Sequence, residues 1–377
     1  MKRGCVIGYD INEKGCQISY YDDSMEEPDT MMASSNNYLI PLVLGYFKDR
    51  WVFGKEAKRL AVVGEDCTET DLYGKAKRRE KVSLAGKTYD AVWLLAKYIS
   101  LTLQDFENIQ YLTFTTPETD VDMAKMLKGI GQHIGVDKEI INVQDYKESF
   151  CQYMIFQPKE LWQYESALFY CDEDRIKAYM LRRLRVDASH GMNSFVTVDE
   201  VANAQRKELE ALYPIMNKEK SPDESFKSMI ENVFEKKVIS SVYLTGEGFE
   251  KNWYPNSLRV LCNGRRAFMG NNLYSKGACY KSIRKCEPND DGPIYLDETK
   301  LTERICLRMR VDGQEGWYPL VTWGTHWYEA DGQWEVLLED ASDIEILVES
   351  LVDEEVQVEK VSLEGLPKRT DYSLRLQ

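Results

Sequence analysis

The stretch from Arg3 to Asp23 reads RGCVIGYDINEKGCQISYYDD, and its pattern returns from Leu168 to Leu184 as LFYCDEDRIKAYMLRRL. In each copy an apolar run leads into a short polar turn, and alternating residues come after it. This pattern predicts two strands joined as a hairpin. Two such hairpins, far apart in the chain, predict a duplicated fold of two lobes.

The composition is typical of a soluble protein with more than one compact unit. The chain has 377 residues, of which 43% are hydrophobic, and no stretch approaches the roughly 20 apolar residues of a membrane helix. The nine cysteines are scattered without a CxxC pair, and the three histidines lack metal-binding spacing. Reduced thiols and the absence of a signal-peptide pattern indicate a cytoplasmic protein.

The net charge of −15 is concentrated at the C-terminal end. Residues 287–377 carry 22 of the 63 acidic residues but only 8 of the 48 basic ones. We therefore predict a domain of residues 1–286, with lobes at about 1–160 and 161–286, followed by a linker at Glu287 to Gly292 and a domain of residues 287–377. The acidic domain argues against nucleic acid as a partner, although a merely solubilising surface explains the charge as well.

Periodicity along the first domain predicts alternating strands and helices, hence a mixed sheet with helices on its faces. Three segments carry distinct local signals. Asp71 to Glu80 has the composition of a mobile connection, Thr116-Pro117 is typical of a helix start, and Thr197 with Glu200 predicts the cap of another helix. The pattern from Ser221 to Phe234 predicts a further amphipathic helix.

The last domain changes to a period of two. Ile305, Leu307, Met309 and Val311 alternate with polar residues, and Asp312-Gly313 is a hairpin signal. An all-β sandwich is the predicted architecture. Its aromatic residues, among them Trp323, Trp327 and Tyr328, are predicted either to fill the core or to line a peptide groove; core residues are the more common case.

Taken together, the chain resembles the 70-kilodalton heat-shock chaperones of the actin-like ATPase superfamily. The resemblance covers most of the length at low identity, and no helical lid is expected. The segments VIGYDINEKGC and LFYCDEDRIKAYML resemble the two phosphate hairpins, VYLTGEGF resembles the glycine turn beside the adenosine, and NNLYSKGACYKSI resembles the helix after it. INVQDYKESFCQYMIF resembles the helix connecting the lobes, and DIEILVES and VEKVSLEGLP resemble strands of the substrate domain.

This resemblance implies site residues. Asp10 falls at the family's magnesium-linked aspartate, and Asp145 at the glutamate that orients the attacking water. The implied nucleotide contacts are Asn12, Lys14, Asp172, Arg175, Gly246 and Gly248. Structural alternatives compete for each role: Asp10 ends a strand, Asp145 caps a helix, and a lone Gly-x-Gly is a common turn. The implied cofactors, if the cleft is active, are Mg²⁺ and ATP.

The departures from the family decide the function that we expect. The phosphate turns of the family consist of Gly and Thr, because backbone N–H groups must approach an anion closely. Here the turns contain Asn12-Glu13-Lys14 and Asp172-Glu173-Asp174. A carboxylate about 4 Å from a phosphate charge costs on the order of 1 kcal/mol in water and ~4 kcal/mol at an effective dielectric of 20. Several such pairs offset micromolar binding, which is worth roughly 8 kcal/mol.

Three hypotheses remain. The preferred one is a chaperone-like pseudo-ATPase or scaffold whose β-domain contacts a protein or peptide. The second is a working Mg-ATP hydrolase, in which the acidic turns recruit the metal; no clear catalytic lysine is found, since Lys75 and Lys77 lie in a charge run. The third is an actin-like polymerising scaffold. Neither nucleic acid nor membrane is an expected partner, and the oligomeric state stays open.

Overall fold

The computed structural model gives a fold for most of the chain. The described residues are 4–34, 37–63, 67–184, 194–205, 221–286, 292–332, 334–338, 343–351, 356–363 and 372–376. They divide into two compact units, the first comprising Met1–Arg182 and Val198–Asp291 and the second Arg183–Thr197 and Gly292–Gln377. The predicted linker falls mainly on residues 287–291, outside the described part of the chain.

Strands make up much of both units. In chain order they are β1 Cys5–Ile11, β2 Gly15–Tyr21, β3 Asp29–Thr30, β4 Ile40–Pro41, β5 Leu44–Phe47, β6 Arg50–Phe53, β7 Thr68–Glu69, β8 Lys81–Leu84, β9 Lys87–Asp90, β10 Ile109–Thr116, β11 Ile141–Asp145, β12 Glu165–Cys171, β13 Arg175–Leu184, β14 Phe195–Gln205, β15 Ile239–Thr245, β16 Arg266–Met269, β17 Ile294–Tyr295, β18 Glu303–Val311, β19 Gln314–Val321, β20 Trp334–Leu338, β21 Asp343–Ser350, β22 Val356–Ser362 and β23 Tyr372–Leu376.

The α-helices of the described residues all lie in the first unit. They are α1 Gly54–Val63, α2 Leu72–Lys77, α3 Ala91–Thr102, α4 Val121–His133, α5 Tyr146–Ile155, α6 Pro222–Phe234, α7 Pro255–Leu261 and α8 Leu273–Cys286. The combination confirms a mixed α/β region followed by an all-β region. None of these helices has both the length and the apolar character of a membrane span.

Both predicted hairpins are confirmed, and the sheets around them share one plan. The first sheet has the order β11-β10-β1-β2-β3, and the second contains β16-β15-β12-β13-β14. In each, the first hairpin strand pairs in parallel with a later strand, which pairs in parallel with the next. Even the register irregularity recurs, between Cys5 and Val6 and between Glu165 and Ser166. The two halves of the first unit therefore repeat one topology.

Two helices connect these halves by packing beyond their own sheets. Helix α8, which comes after the second sheet, contacts the first one: Ser275 exchanges a hydrogen bond with Ser19 on β2 at 2.8 Å. Helix α5, which comes after the first sheet, places the ring of Phe150 against that of Tyr243 on β15. The two helices also cross closely, since a Cβ on Gly277 of α8 would lie 2.0 Å from the carbonyl oxygen of Ser149. Only glycine permits this approach.

The core of the second half confirms the predicted helix at Ser221. The Ser221 hydroxyl accepts a hydrogen bond from the Glu224 amide at 3.2 Å, as an N-cap does. Phe226, Ile230 and Val233 on α6 are buried against the inner face of the second sheet. The spacing of these residues by three and four positions explains why one face of the helix is covered.

Three predictions about elements are wrong. Thr197 to Gln205 is part of β14, because its β-branched residues favour the extended chain when a neighbouring strand is available to pair; the rest of that predicted helix, from residue 206, lies outside the described residues. Asp120, not Thr116, caps α4 by accepting the Met123 amide at 2.7 Å, since Thr116 still pairs within the sheet. The predicted mobile connection at Asp71 to Glu80 contains α2.

The second unit contains a four-stranded sheet of order β19-β18-β21-β22, and β20 pairs with β23. All of these pairings are antiparallel. Asp312 and Gly313 form the two-residue turn between β18 and β19 with φ of 49° and 81°, the left-handed conformation predicted for this hairpin signal. The start of β14 joins this unit by pairing in parallel with β17.

Candidate functional site

In the first hairpin turn, the side chain of one residue is hydrogen-bonded to the backbone of the turn itself. The Asn12 side-chain oxygen accepts hydrogen bonds from the amides of Lys14 at 2.9 Å and Gly15 at 3.3 Å. The Asn12 amide closes the turn by donating to the Gly15 carbonyl oxygen at 3.0 Å. Asn and Asp commonly organise turns in this way. Two amides that a phosphate-binding turn would direct at its ligand are thus already bonded.

The second hairpin turn repeats this arrangement with a charged residue. One carboxylate oxygen of Asp172 accepts from the amides of Asp174 at 2.8 Å and Arg175 at 2.7 Å. The Asp172 amide donates to the Arg175 carbonyl oxygen at 3.1 Å. A carboxylate therefore occupies the position relative to these amides that an anionic ligand would take. The two turns are alike in hydrogen bonding as well as in topology.

Asp10, next to the first turn, is buried beneath a tyrosine. The Tyr146 hydroxyl donates to Asp10 Oδ1 at 2.8 Å, and the Asn12 amide group donates to the same hydroxyl at 2.9 Å. Burial raises the pKa of the Asp10 carboxyl to about 7, and the Tyr146 hydrogen bond opposes that rise. Asp10 is therefore a carboxyl group near the midpoint of its titration at neutral pH.

Three tyrosine side chains lie near Asp10. The ring of Tyr146, at the start of α5, stacks on that of Tyr274 in α8 with 3.7 Å between centroids and 6° between planes. The ring centroid of Tyr170, at the end of β12, lies 6.5 Å from that of Tyr274. Burial raises the pKa of all three hydroxyls, so these groups stay neutral hydrogen-bonding groups. Tyr146 and Tyr274 were not predicted as site residues, because neither has a local motif.

Asp145 serves as the cap of α5. One of its carboxylate oxygens accepts a hydrogen bond from the Glu148 amide at 2.8 Å, as the sequence predicted for the structural alternative. Glu148 is itself buried and pairs with Lys281 of α8 at 2.8 Å. The structure thus gives Asp145 a structural role at the helix that connects the two halves.

Ion pairs join the two halves across the hairpins. Lys14 in the first turn pairs with Glu247 in the glycine turn after β15. Conversely, a lysine of the second half reaches the first half. The Nζ atom of Lys177 on β13 lies 3.9 Å from a carboxylate oxygen of Glu118, which comes after β10, and 3.4 Å from one of Glu200. Each half therefore contributes one lysine from its hairpin and one glutamate from the loop after its central parallel strand. Lys14, predicted as a nucleotide contact, forms an ion pair with Glu247 in this structure.

The glycines of the turn after β15 are explained by close packing. Gly246 has φ of +100°, and a Cβ there would lie 2.1 Å from the carbonyl oxygen of Cys171. A Cβ on Gly248 would lie 2.3 Å from the Cys171 sulfur. The turn therefore needs glycine in order to lie against the end of β12.

The remaining predicted residues are dispersed. Arg175 is exposed at the start of β13. Lys75, a weak candidate for a catalytic lysine, pairs with the buried Glu69 at 2.8 Å. In the part of the chain that the structure describes, no three His, Cys, Asp or Glu side chains converge so that they could hold a metal ion. The residues around Asp10 do not fit a carboxylate-bound Mg²⁺ site.

In the second unit the aromatic residues divide between core and surface. Trp323 is buried and packs with Phe195, Leu296 and Leu351, so it belongs to the core and not to an exposed groove. Trp327 is 58% exposed, and its ring lies 5.5 Å from that of Tyr328 at 87°. Of the three predicted protein-binding residues, Trp327 is the one with a large accessible ring.

Comparison with known proteins gives family membership without an activity. No curated protein matches the chain. A model described as a domain of unknown function (DUF8552) matches residues 300–377. A model described as the C-terminal part of a family of unknown function (DUF5716) matches residues 27–298, which is most of the chain. The chain therefore belongs to the DUF5716 family.

Proposed function

We propose that this protein is a chaperone-like pseudo-ATPase or scaffold: a two-lobed, actin-like domain that does not hydrolyse ATP, followed by a β-sandwich that binds a protein or peptide. Support for the two-lobed fold comes from the repeated topology of the two sheets, including their shared register irregularity. The helices α5 and α8, which pack beyond their own sheets and cross at Gly277, join the two lobes. In the proposed fold the two hairpin turns face one cleft.

The observation that carries the loss of ATP binding is the hydrogen bonding of both turns. Four backbone amides, at Lys14, Gly15, Asp174 and Arg175, are bonded to side chains of their own turns. A phosphate would have to break these bonds, each worth about 1 kcal/mol net. It would also have to approach Asp172, at a cost of ~4 kcal/mol for a carboxylate at about 4 Å and an effective dielectric of 20.

The Tyr146 hydroxyl adds a second obstacle. It donates a hydrogen bond to Oδ1 of Asp10, the side chain that would have to contact a magnesium ion or its water. Together, these costs are similar to the roughly 8 kcal/mol of a micromolar complex. The cleft residues therefore favour a domain whose lobes are held by protein contacts instead of by a nucleotide.

Titration calorimetry of the full chain with Mg-ATP tests this proposal. No saturable heat up to millimolar Mg-ATP and no phosphate release are expected. Asp10→Ala is the matched variant, since a working site loses turnover in it whereas an inactive one shows no difference. Micromolar binding with turnover that disappears in Asp10→Ala would contradict the proposal and favour an active hydrolase.

A further inference from the structure

Two acceptor side chains lie side by side on the first sheet. Asp10 on β1 and Gln17 on β2 are direct cross-strand partners, so their side chains project from the same face. They are 3% and 8% exposed. Gln17 Oε1 is buried and accepts no hydrogen bond among the described residues. A buried acceptor without a donor costs roughly 1–3 kcal/mol, so a donor that reaches Gln17 Oε1 would be stabilised there.

A third polar atom without a partner belongs to the same region. The Tyr274 hydroxyl is buried, and no described residue hydrogen-bonds to it. Its ring stacks on Tyr146, whose hydroxyl is bonded to Asp10. Burial raises the pKa of the Tyr274 hydroxyl, and the charge of Asp10 contributes to the rise. Asp10, Gln17 and Tyr274 thus bring polar groups from β1, β2 and α8 to the face of the first sheet on which α8 packs, where Ser275 bonds Ser19.

The charges nearby do not balance Asp10. Among the described residues Asp10 makes no ion pair, and its side chain is bonded to the neutral Tyr146. The lysines that reach between the halves are engaged elsewhere: Lys14 with Glu247, Lys177 with Glu200, and Lys281 with Glu148. A buried carboxylate without a cation is costly unless it takes up a proton or a positively charged partner.

We propose that a small primary amine binds between these groups, and that its ammonium group donates hydrogen bonds to Asp10, Gln17 and Tyr274. An ammonium group has three donors and a positive charge, which matches three acceptor groups of which one is a carboxylate. The inference rests on the proposed function, because a cleft that holds ATP and Mg²⁺ at Asp10 excludes the amine.

The alternative occupant is a proton on Asp10, and pH separates the two. An amine requires ionised Asp10, and the pKa of that carboxyl is about 7. The fraction of ionised Asp10 rises about tenfold between pH 6 and pH 8, so the apparent affinity rises by the same factor; an alkylamine, like lysine at about 10.4, stays protonated throughout. The other titratable groups whose electrostatics involve Asp10 are Tyr9 from β1, Cys16 from β2, Tyr73 from α2, Tyr146 from α5, Tyr170 from β12 and Tyr274 from α8.

Calorimetric titration of the full chain with 1-butylamine and with 1-butanol tests the proposal, because the two probes have the same carbon chain and differ in charge. Saturable binding is expected for the amine alone, about tenfold tighter at pH 8 than at pH 6. At pH 7 the heat is expected to depend on the buffer, because Asp10 releases a proton on binding. Asp10→Asn is expected to weaken binding at least tenfold and to remove the pH dependence, and Tyr274→Phe to weaken it severalfold.

Asp49→Asn is the control, since Asp49 lies in the exposed turn between β5 and β6. Equal loss in Asp49→Asn, equal binding of butanol, or no binding of either probe overturns the proposal. The buffer dependence is measured on the unaltered chain, so the test does not depend on the folding of Asp10→Asn. If Mg-ATP binds and displaces butylamine, the proposed function is contradicted. If neither ligand binds, only the amine site is contradicted.

Discussion

Replacing Asp10 by Asn is expected to stabilise the first unit at pH 8 but not at pH 4. Asn retains the oxygen that accepts from the Tyr146 hydroxyl, and its amide group supplies a donor beside Gln17. In the unaltered chain, burial raises the pKa of the Asp10 carboxyl from 3.8 to about 7. The folded state therefore holds a proton that the unfolded state has released between these pH values.

The sign and size of the effect come from that difference. A raised carboxyl pKa gives stability that is fully present below pH ~4 and is lost as the pH rises through 7. Each tenfold change in the proton affinity is worth 1.36 kcal/mol, so the loss at pH 8 is about 4 kcal/mol, as an order of magnitude. Asn has no proton to lose at this position. The free energy of local unfolding of the Asp10→Asn variant should therefore change little between pH 4 and pH 8 through titration of residue 10.

Hydrogen exchange of the β1 and β2 amides measures this free energy, because it reports on the first unit without assuming that the whole chain unfolds in one step. After correction for the intrinsic pH dependence of exchange, Asp10→Asn should protect these amides up to about a thousandfold more than the unaltered chain at pH 8. At pH 4 the two should agree within about tenfold. Asp49→Asn is the control for removal of one negative charge. Equal protection at pH 8 would refute the reasoning.

The remaining predictions concern single contacts. Gly246→Ala should lower the melting temperature of the first unit by several degrees, because the added Cβ meets the carbonyl oxygen of Cys171; an unchanged melting curve would refute the packing explanation. Trp323→Ala should cost about 3–5 kcal/mol in urea unfolding of the second unit, whereas the exposed Trp327→Ala should stay within about 0.5 kcal/mol. Lys14→Ala should cost at most about 1 kcal/mol in exchange measurements and less in 1 M salt, since its ion pair is partly exposed.

Where local chemistry decided the structure, the sequence was sufficient. Both hairpins were predicted from alternating residues around polar turns, and Asp312-Gly313 from the turn type that its backbone requires. The caps at Asp145 and Ser221 were predicted from side chains that bond amides three residues away. Each of these features depends on neighbours within a few positions, so a single sequence contains the information.

Where a distant partner decided the structure, the sequence failed. Thr197 to Gln205 has a spacing that also fits a helix, and pairing with another strand made it extended. Thr116 has the chemistry of a helix start, but its place in the first sheet moved that start to Asp120. Local propensity is worth a few tenths of a kcal/mol per residue, and sheet pairing outweighs it.

The sequence by itself determined the duplicated hairpins, the acidic turns and the change to an all-β C-terminal region. Only the tertiary structure decided what surrounds Asp10. Tyr146 lies 136 positions away in the chain and Tyr274 further still, and no spacing rule brings either of them to β1. Their positions result from the packing of α5 and α8 against both halves, because only folding brings such distant side chains together and removes the carboxylate from water.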